Sequence, residues 1–263
     1  MKTFIRVVQA VFGIPWLVFG VQHFIYADFV AGLVPAYFPA RLFWAYFTGA
    51  AMLAAGIGLL TNIKARLAAI LLGVMLLMFV LQIHVPKIAG DPSMVNWTRS
   101  LQDLAIASVA FMLAGALSND NGTLNRLSRY AFAILLIVFG VHQVLNLDFL
   151  VTKVALYIPF RIFWVYITGA AMVLTAVSVF TGTKTKVTAF ALGGWMLILN
   201  LLLHIYSLAI SPYNPLFWIA AMLDLAITCG VFVLACRPLK GSADLTTEPT
   251  SDLTIVETQP RSI

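Results

Sequence analysis

The chain has 263 residues, of which 62% are hydrophobic and only 10% are charged. A soluble domain carries roughly a quarter charged residues, so this composition excludes a water-soluble globular protein of this size. The formal net charge of +6 does not indicate nucleic-acid binding, because no basic cluster is interleaved with aromatic residues. The composition instead predicts a polytopic protein of the lipid bilayer.

Charges and prolines divide the sequence into eight apolar segments, each long enough to cross or nearly cross a membrane as a helix. The fold class that they predict is all-α and integral to the membrane. The remaining polar stretch, 241–263, is predicted to be a disordered cytoplasmic tail. In chain order, the predicted spans are 4–25, 42–61, 66–85, 97–117, 130–147, 161–181, 187–207 and 216–236.

The basic residues are distributed unequally between the two sides that these spans define. If the N-terminus is cytoplasmic, eleven of the 16 lysines and arginines fall on the cytoplasmic side. Because cytoplasmic loops are enriched in lysine and arginine, we predict that both termini are cytoplasmic. The five basic residues on the outer side are Arg41, Lys87, Arg99, Lys153 and Arg161.

The sequence also repeats itself with a period of 120 residues. Residues 19–52 and 139–172 align without gaps, and 17 of the 34 aligned positions are identical. We therefore predict two four-helix membrane repeats, at 1–120 and 121–240. Because each repeat has an even number of spans, both bundles have the same orientation and are related by a pseudo-twofold axis along the membrane normal.

Polar and special residues that both repeats retain indicate where a site lies. One histidine pair is displaced: Gln22 and His23 align with His142 and Gln143, and a shift of one position turns a helical side chain by about 100°. At most one repeat therefore keeps the ancestral site. The retained pairs are Asp28/Asp148, Pro39/Pro159, Arg41/Arg161, Trp44/Trp164, Tyr46/Tyr166, Thr48/Thr168, Gly49/Gly169, His84/His204 and Asp103/Asp224.

The predicted topology brings these polar side chains to the outer third of each bundle. A four-helix bundle builds its sites from facing helices, and ionisable groups at membrane depth must pair or face a cavity. We expect the short apolar segment between the first two spans of each repeat to lie in the outer interface, covering the cluster. The candidate catalytic residues are His84, Asp103, His204 and Asp224. The candidate ligand-binding residues are His23, Arg41, Trp44, Tyr46, His142, Arg161, Trp164 and Tyr166.

Each candidate aspartate needs a partner, because an unpaired carboxylate in the membrane costs a few kcal/mol. We therefore predict that His84 contacts Asp103 and that His204 contacts Asp224, as functional pairs or as structural links between neighbouring spans. Structural alternatives also remain for other residues. The tryptophans and tyrosines fit an interfacial aromatic belt, Arg41 fits a headgroup anchor, and Gly49 fits close helix packing.

Common enzyme signatures do not occur in a usable context, including phosphate-binding loops, dinucleotide fingerprints and zinc-protease motifs. The four histidines leave open a haem b held by two imidazoles, although the displaced His142 points away from the axis that His23 defines. A zinc site is disfavoured because no cysteine lies nearby, and Cys229 and Cys236 form no redox motif.

A longer pattern resembles the DoxX family of small membrane proteins. It consists of FG-x-x-HF at 19–24, P-x-R-x-FW-x-Y-x-TGAAM at 39–52 and H-x-P at 84–86. Family members usually carry one four-helix unit, so this chain would be a tandem version. Some relatives are membrane subunits of thiosulfate:quinone oxidoreductase, and others belong to oxidative-stress or detoxification systems. The resemblance thus implies a bacterial inner-membrane protein in a quinone-linked redox system.

From these observations we expect a membrane subunit whose polar site receives a quinone laterally. His84 and Asp103 would exchange protons, Arg41 would hold an oxygen or an anionic group, and a soluble partner subunit would supply electrons. The alternative is a non-catalytic protein that uses the same cluster for small-solute transport or for membrane assembly.

Overall fold

The computed structural model describes residues 1–118, 122–154 and 157–236, apart from the side chain of Lys153. The tail predicted at 241–263 lies outside these residues. In the described part the chain folds into helices, eight of which are long and apolar enough to cross a membrane. These spans are α1 (Lys2–Ile25), α3 (Arg41–Thr61), a composite span (Ala65–Gly90), α6 (Met94–Ser118), α7 (Thr123–Leu145), α9 (Arg161–Thr181), α10 (Thr185–Ile210) and α11 (Pro215–Cys236).

The composite span is not one continuous α-helix, and two short helices complete the described fold. The composite span consists of α4 (Ala65–Phe79), a π-helical turn (Val80–His84) and α5 (Val85–Gly90). Short helices follow the first span of each half, as α2 (Ala27–Leu33) and α8 (Leu147–Lys153).

The predicted spans agree with the structure to within three residues at each end, except at the end of the third, which continues to Gly90, and at the start of the fifth. That span was predicted to begin at residue 130, but α7 begins at Thr123. The prediction was wrong because it treated Arg126 and Arg129 as loop residues. The structure includes both in the helix and buries Arg129, whose Nη2 donates to the carbonyl oxygen of Leu234 at 3.4 Å.

The helices pack so that each half of the chain is closed by the last helix of the other half. Within the first half α1 packs on α3, α3 on α4, and α4 on α6. Within the second half α7 packs on α9, α9 on α10, and α10 on α11. Between the halves α1 packs on α11 and α7 on α6, while α6 and α11 pack on each other.

The contact between α6 and α11 is close because α11 has a glycine there. A Cβ atom at Gly230 would overlap the side chain of Val109 and lie 2.8 Å from Phe132 Cζ. The second repeat has one additional residue before its fourth span, so that Val109 and Gly230 occupy equivalent positions, as Asp103 and Asp224 do. The two halves therefore meet at the same point of their own fourth spans.

Glycines also bring α1 and α3 together, as the sequence predicted for Gly49. A Cβ at Gly49 would lie 2.7 Å from His23 Cβ, and one at Gly20 would lie 2.9 Å from the carbonyl oxygen of Gly49. The second half repeats this approach, because a Cβ at Gly140 would lie 2.7 Å from the carbonyl oxygen of Gly169. Close backbone approach through small residues is a common way to pack helices in membranes.

Candidate functional site

The candidate site in the first half is a histidine–aspartate pair between two helices. His84 ends the π-helical turn, and Asp103 lies in the third turn of α6. His84 Nε2 is 2.9 Å from Asp103 Oδ2, which confirms the predicted contact. Both side chains are mostly covered, with exposed fractions of 16% and 20%. His84 therefore gives the Asp103 carboxylate a polar partner, without which burying it within a membrane span would be energetically costly.

The second half contains an equivalent pair with a more open aspartate. His204 Nε2 on α10 is 2.9 Å from Asp224 Oδ2 on α11, again as predicted. The exposed fraction is 15% for the His204 side chain but 45% for Asp224. One further difference lies a turn before His204, where the buried Asn200 donates to the carbonyl oxygen of Ala221 at 3.0 Å. The equivalent residue in the first half is Val80, which begins the π-helical turn.

The π-helical turn next to His84 is associated with a proline. Pro86 has no N–H to donate to the carbonyl oxygen of Gln82, four residues earlier. The hydroxyl of Tyr37, from the segment before α3, donates to that oxygen at 3.0 Å and lies 2.8 Å from Gln82 Oε1. The segment thus covers the helix beside the pair. Single π-helical turns within α-helices are frequently found at functional sites.

Tyr37 and its equivalent were missed by the sequence analysis. Tyr157 donates to the carbonyl oxygen of Leu202 at 2.6 Å, two residues before His204, as Tyr37 does two residues before His84. The available signal was the alignment itself, since both repeats have tyrosine at this position.

The displaced histidines, His23 and His142, face different neighbours. His23 lies against α3 at Gly49, and its Nδ1–H donates to the carbonyl oxygen of Phe19 at 2.7 Å. His142 Nε2 lies 3.3 Å from Thr98 Oγ1 on α6, across the boundary between the halves. Because His84 Nε2 is engaged by Asp103, the described contacts give the haem alternative no support.

The remaining candidate residues lie near the N-terminal ends of α3 and α9. The indole N–H groups of Trp44 and Trp164 donate to the carbonyl oxygens of Pro39 and Pro159, at 3.1 and 2.9 Å. These donors are used locally, which favours the structural interpretation of both tryptophans. The ring of Tyr46 packs on Phe24. The side chain of Tyr46 is 40% exposed, and that of its equivalent Tyr166 is 43% exposed.

The two arginines that begin these helices differ in their surroundings. Arg41 is exposed, and in the described part of the chain no hydrogen bond or ion pair joins it to His84 or Asp103. Arg161 donates from Nη1 to the carbonyl oxygen of Val151 at 3.4 Å and borders an open, mainly apolar cavity of about 490 Å³. The structure thus brings together each histidine–aspartate pair, but no described polar contact connects the arginines to them.

A family model described as a domain of unknown function (DUF8561) matches residues 12–114, a range that contains both His84 and Asp103. No curated protein and no solved structure matches the chain.

Proposed function

We propose that this protein is a DoxX-like membrane subunit of a quinone-linked redox system, with the histidine–aspartate pair as its proton-exchanging site. The observation that carries the proposal is the 2.9 Å contact between His84 and Asp103, which recurs between His204 and Asp224. Two repeats that differ at half of their aligned positions in the best-matching stretch keep the same pair.

The chemistry of such a pair suits a quinone. Reduction of a quinone to its quinol takes up two electrons and two protons, so a quinone site needs side chains that transfer protons. Imidazole is suited to proton exchange near neutral pH, and the carboxylate of Asp103 orients it and stabilises its cationic form. Without a dedicated redox cofactor motif, the electrons would come from a soluble partner subunit.

Within this proposal, the pair in the first half is the working one. Asp103 is more enclosed than Asp224. A π-helical turn contacted by Tyr37 precedes Pro86 in the first half, whereas the equivalent part of α10 is α-helical. The family match covers the same half. The second half would then serve mainly to complete the helix packing around the first.

The rival function is a non-catalytic transporter or assembly protein. The observation that favours it is that each pair also joins two spans through a polar contact: the composite span with α6, and α10 with α11. Polar contacts of this kind can stabilise membrane helix packing without binding any ligand.

We further propose that the halves are two parallel repeats related by a rotation near 180° about the membrane normal, with both termini in the cytoplasm of a bacterial inner membrane. Three contacts support this arrangement, because exchanging the halves reproduces them. The contact of α1 with α11 becomes that of α7 with α6, and the contact of α6 with α11 maps onto itself.

Analysis of the purified full-length protein tests the proposed function. Mass spectrometry of its lipid extract should detect a quinone in an amount comparable to the protein, and added short-chain quinone should bind saturably. An absorption spectrum of the same sample tests for haem, which we do not expect. If neither co-purified nor added quinone binds to correctly folded protein, the redox proposal is wrong and the rival is favoured.

A further inference from the structure

A cluster of cations lies at the opposite end of the helices from the histidine–aspartate pair. Arg6 of α1 and Lys64 and Arg66 at the start of α4 line an open cavity of about 460 Å³, which also borders Leu117 near the end of α6. All three cationic residues are exposed, and no carboxylate in the described residues forms an ion pair with them. Among the described residues, the positive charge of the cavity therefore has no acidic partner.

Neutral donors add to this charge. Lys64 precedes α4 with φ of 49°, and no side chain caps the helix, so the first N–H groups of α4 are left for another acceptor. Asn62 also borders the cavity. The buried Gln9 donates to Asn62 Oδ1 at 3.2 Å, which leaves the Nδ2 donors of Asn62 for a second acceptor.

The sequence repeat indicates that this cluster is more than a general excess of basic residues. Each of the three cations has a basic residue at the equivalent position of the second repeat. The repeats differ at many other positions, including the asparagine, which is replaced by glycine. The three equivalent pairs are Arg6/Arg126, Lys64/Lys184 and Arg66/Lys186.

We propose that the cavity between α1, α4 and the end of α6 binds the phosphate of an anionic phospholipid headgroup. Three cations and a free helix N-terminus are complementary to a phosphate, and basic pockets between membrane helices are a known type of lipid-headgroup site. The cavity lies at the ends of the candidate spans, at the level expected for lipid phosphates, and it is open rather than enclosed. A lipid is therefore favoured over free phosphate. This proposal does not depend on the proposed redox function.

The test uses the full-length protein in detergent with an equal mixture of phosphatidylglycerol and phosphatidylcholine of the same acyl chains. Native mass spectrometry measures which lipid stays bound. We compare the wild type with Lys64→Asn, Arg66→Gln and Arg6→Gln, and with Lys2→Asn as a control. Asparagine is chosen at position 64 because it tolerates positive φ, so the charge is removed without new backbone strain. Lys2 is an exposed cation near the start of α1, as Arg6 is, but it does not line the cavity.

We expect the wild type and Lys2→Asn to retain phosphatidylglycerol in preference to phosphatidylcholine. Each cavity variant should lower the affinity for phosphatidylglycerol by about fivefold, the effect of removing one basic residue near an anionic surface. Because the three variants lie on two helices, failure of one to fold leaves the others to decide.

Two results would overturn the proposal. One is equal retention of phosphatidylglycerol by the wild type and by all folded cavity variants. The other is binding of added inorganic phosphate that depends on the three cations, without any preference for the anionic lipid, which would identify a free anion as the ligand.

Discussion

At the scale of single residues, Tyr37 and its equivalent Tyr157 make the same hydrogen bond to two helices, of which only the first has a proline nearby. In the first half the hydroxyl of Tyr37 donates to the carbonyl oxygen of Gln82, which Pro86 deprives of a backbone donor. In the second half Tyr157 donates to the carbonyl oxygen of Leu202, and the residue equivalent to the proline is Tyr206, which has an N–H group. The hydroxyl of Tyr37 therefore replaces a missing backbone donor, whereas the hydroxyl of Tyr157 adds to one that is present.

This difference predicts unequal effects of removing the two hydroxyl groups. Tyr37→Phe should destabilise the protein by about 1 kcal/mol, because the carbonyl oxygen of Gln82 would lose this hydroxyl in addition to the N–H group that Pro86 lacks. Tyr157→Phe should have a smaller effect, since the backbone N–H can still serve Leu202. Thermal unfolding of the two variants in the same detergent measures both. A larger effect of Tyr157→Phe would contradict this account of the π-helical turn.

The residues of the candidate site were predictable in part. The contacts of His84 with Asp103 and of His204 with Asp224 followed from topology and from the cost of an unpaired carboxylate, because both residues of each pair sit at the same depth on adjacent spans. The directions in which His23 and His142 point were not predictable, because they depend on how α1 and α7 are rotated against their neighbours. A hydropathy pattern gives depth in the membrane but not this rotation.

At the scale of helices, the spans themselves were predictable because apolar length is a strong signal. The start of α7 was not, because a buried arginine such as Arg129 looks like a loop residue in the sequence. The π-helical turn was also missed, because Pro86 indicates a break in a helix without indicating its kind. The interpretation of Gly49 as a position of close helix packing was correct, although the sequence did not indicate that α1 is the helix packed against it.

This close packing predicts the effect of one added methyl group. Gly49→Ala should destabilise the protein by about 1–3 kcal/mol, because the new Cβ would lie 2.7 Å from His23 Cβ, an atom fixed to the backbone of α1. Gly194→Ala in α10 is the matched control, because no atom lies within 4 Å of its added Cβ. The control should be neutral or slightly stabilising, since alanine favours helix more than glycine does. Equal melting temperatures of the two variants would show that α1 and α3 can separate freely.

At the scale of the whole molecule, the repeat predicted two equivalent halves but not how they join. The first span of each half packs against the last span of the other half, as the contacts of α1 with α11 and of α7 with α6 show. Such contacts join segments far apart in the chain, and the apolar surfaces of membrane helices carry little information about which partner they select. The result is that neither half is closed by its own four spans.

The orientation of the molecule is predicted by its charges and is testable in cells. In a chain without Cys229 and Cys236, which are buried, single cysteines at positions 64 and 126 should resist a membrane-impermeant reagent in intact cells and react after permeabilisation. A cysteine at position 87 should react without permeabilisation. Ready labelling of position 126 in intact cells would reverse the orientation, and with it the assignment of the histidine–aspartate pairs to the outer side.

The functional role of the first-half pair is tested most directly by Asp103→Asn. Asparagine keeps the size of the side chain but removes the charge that stabilises a protonated His84. Affinity for a short-chain quinone, measured by titration of the purified protein, should fall by about tenfold or more, while folded yield and melting temperature change little. Asp224→Asn, in the more open pair, should change the affinity less. If the Asp103→Asn protein folds and binds quinone as tightly as the wild type, the pair is a structural link between the composite span and α6, and its proposed role in proton exchange is wrong.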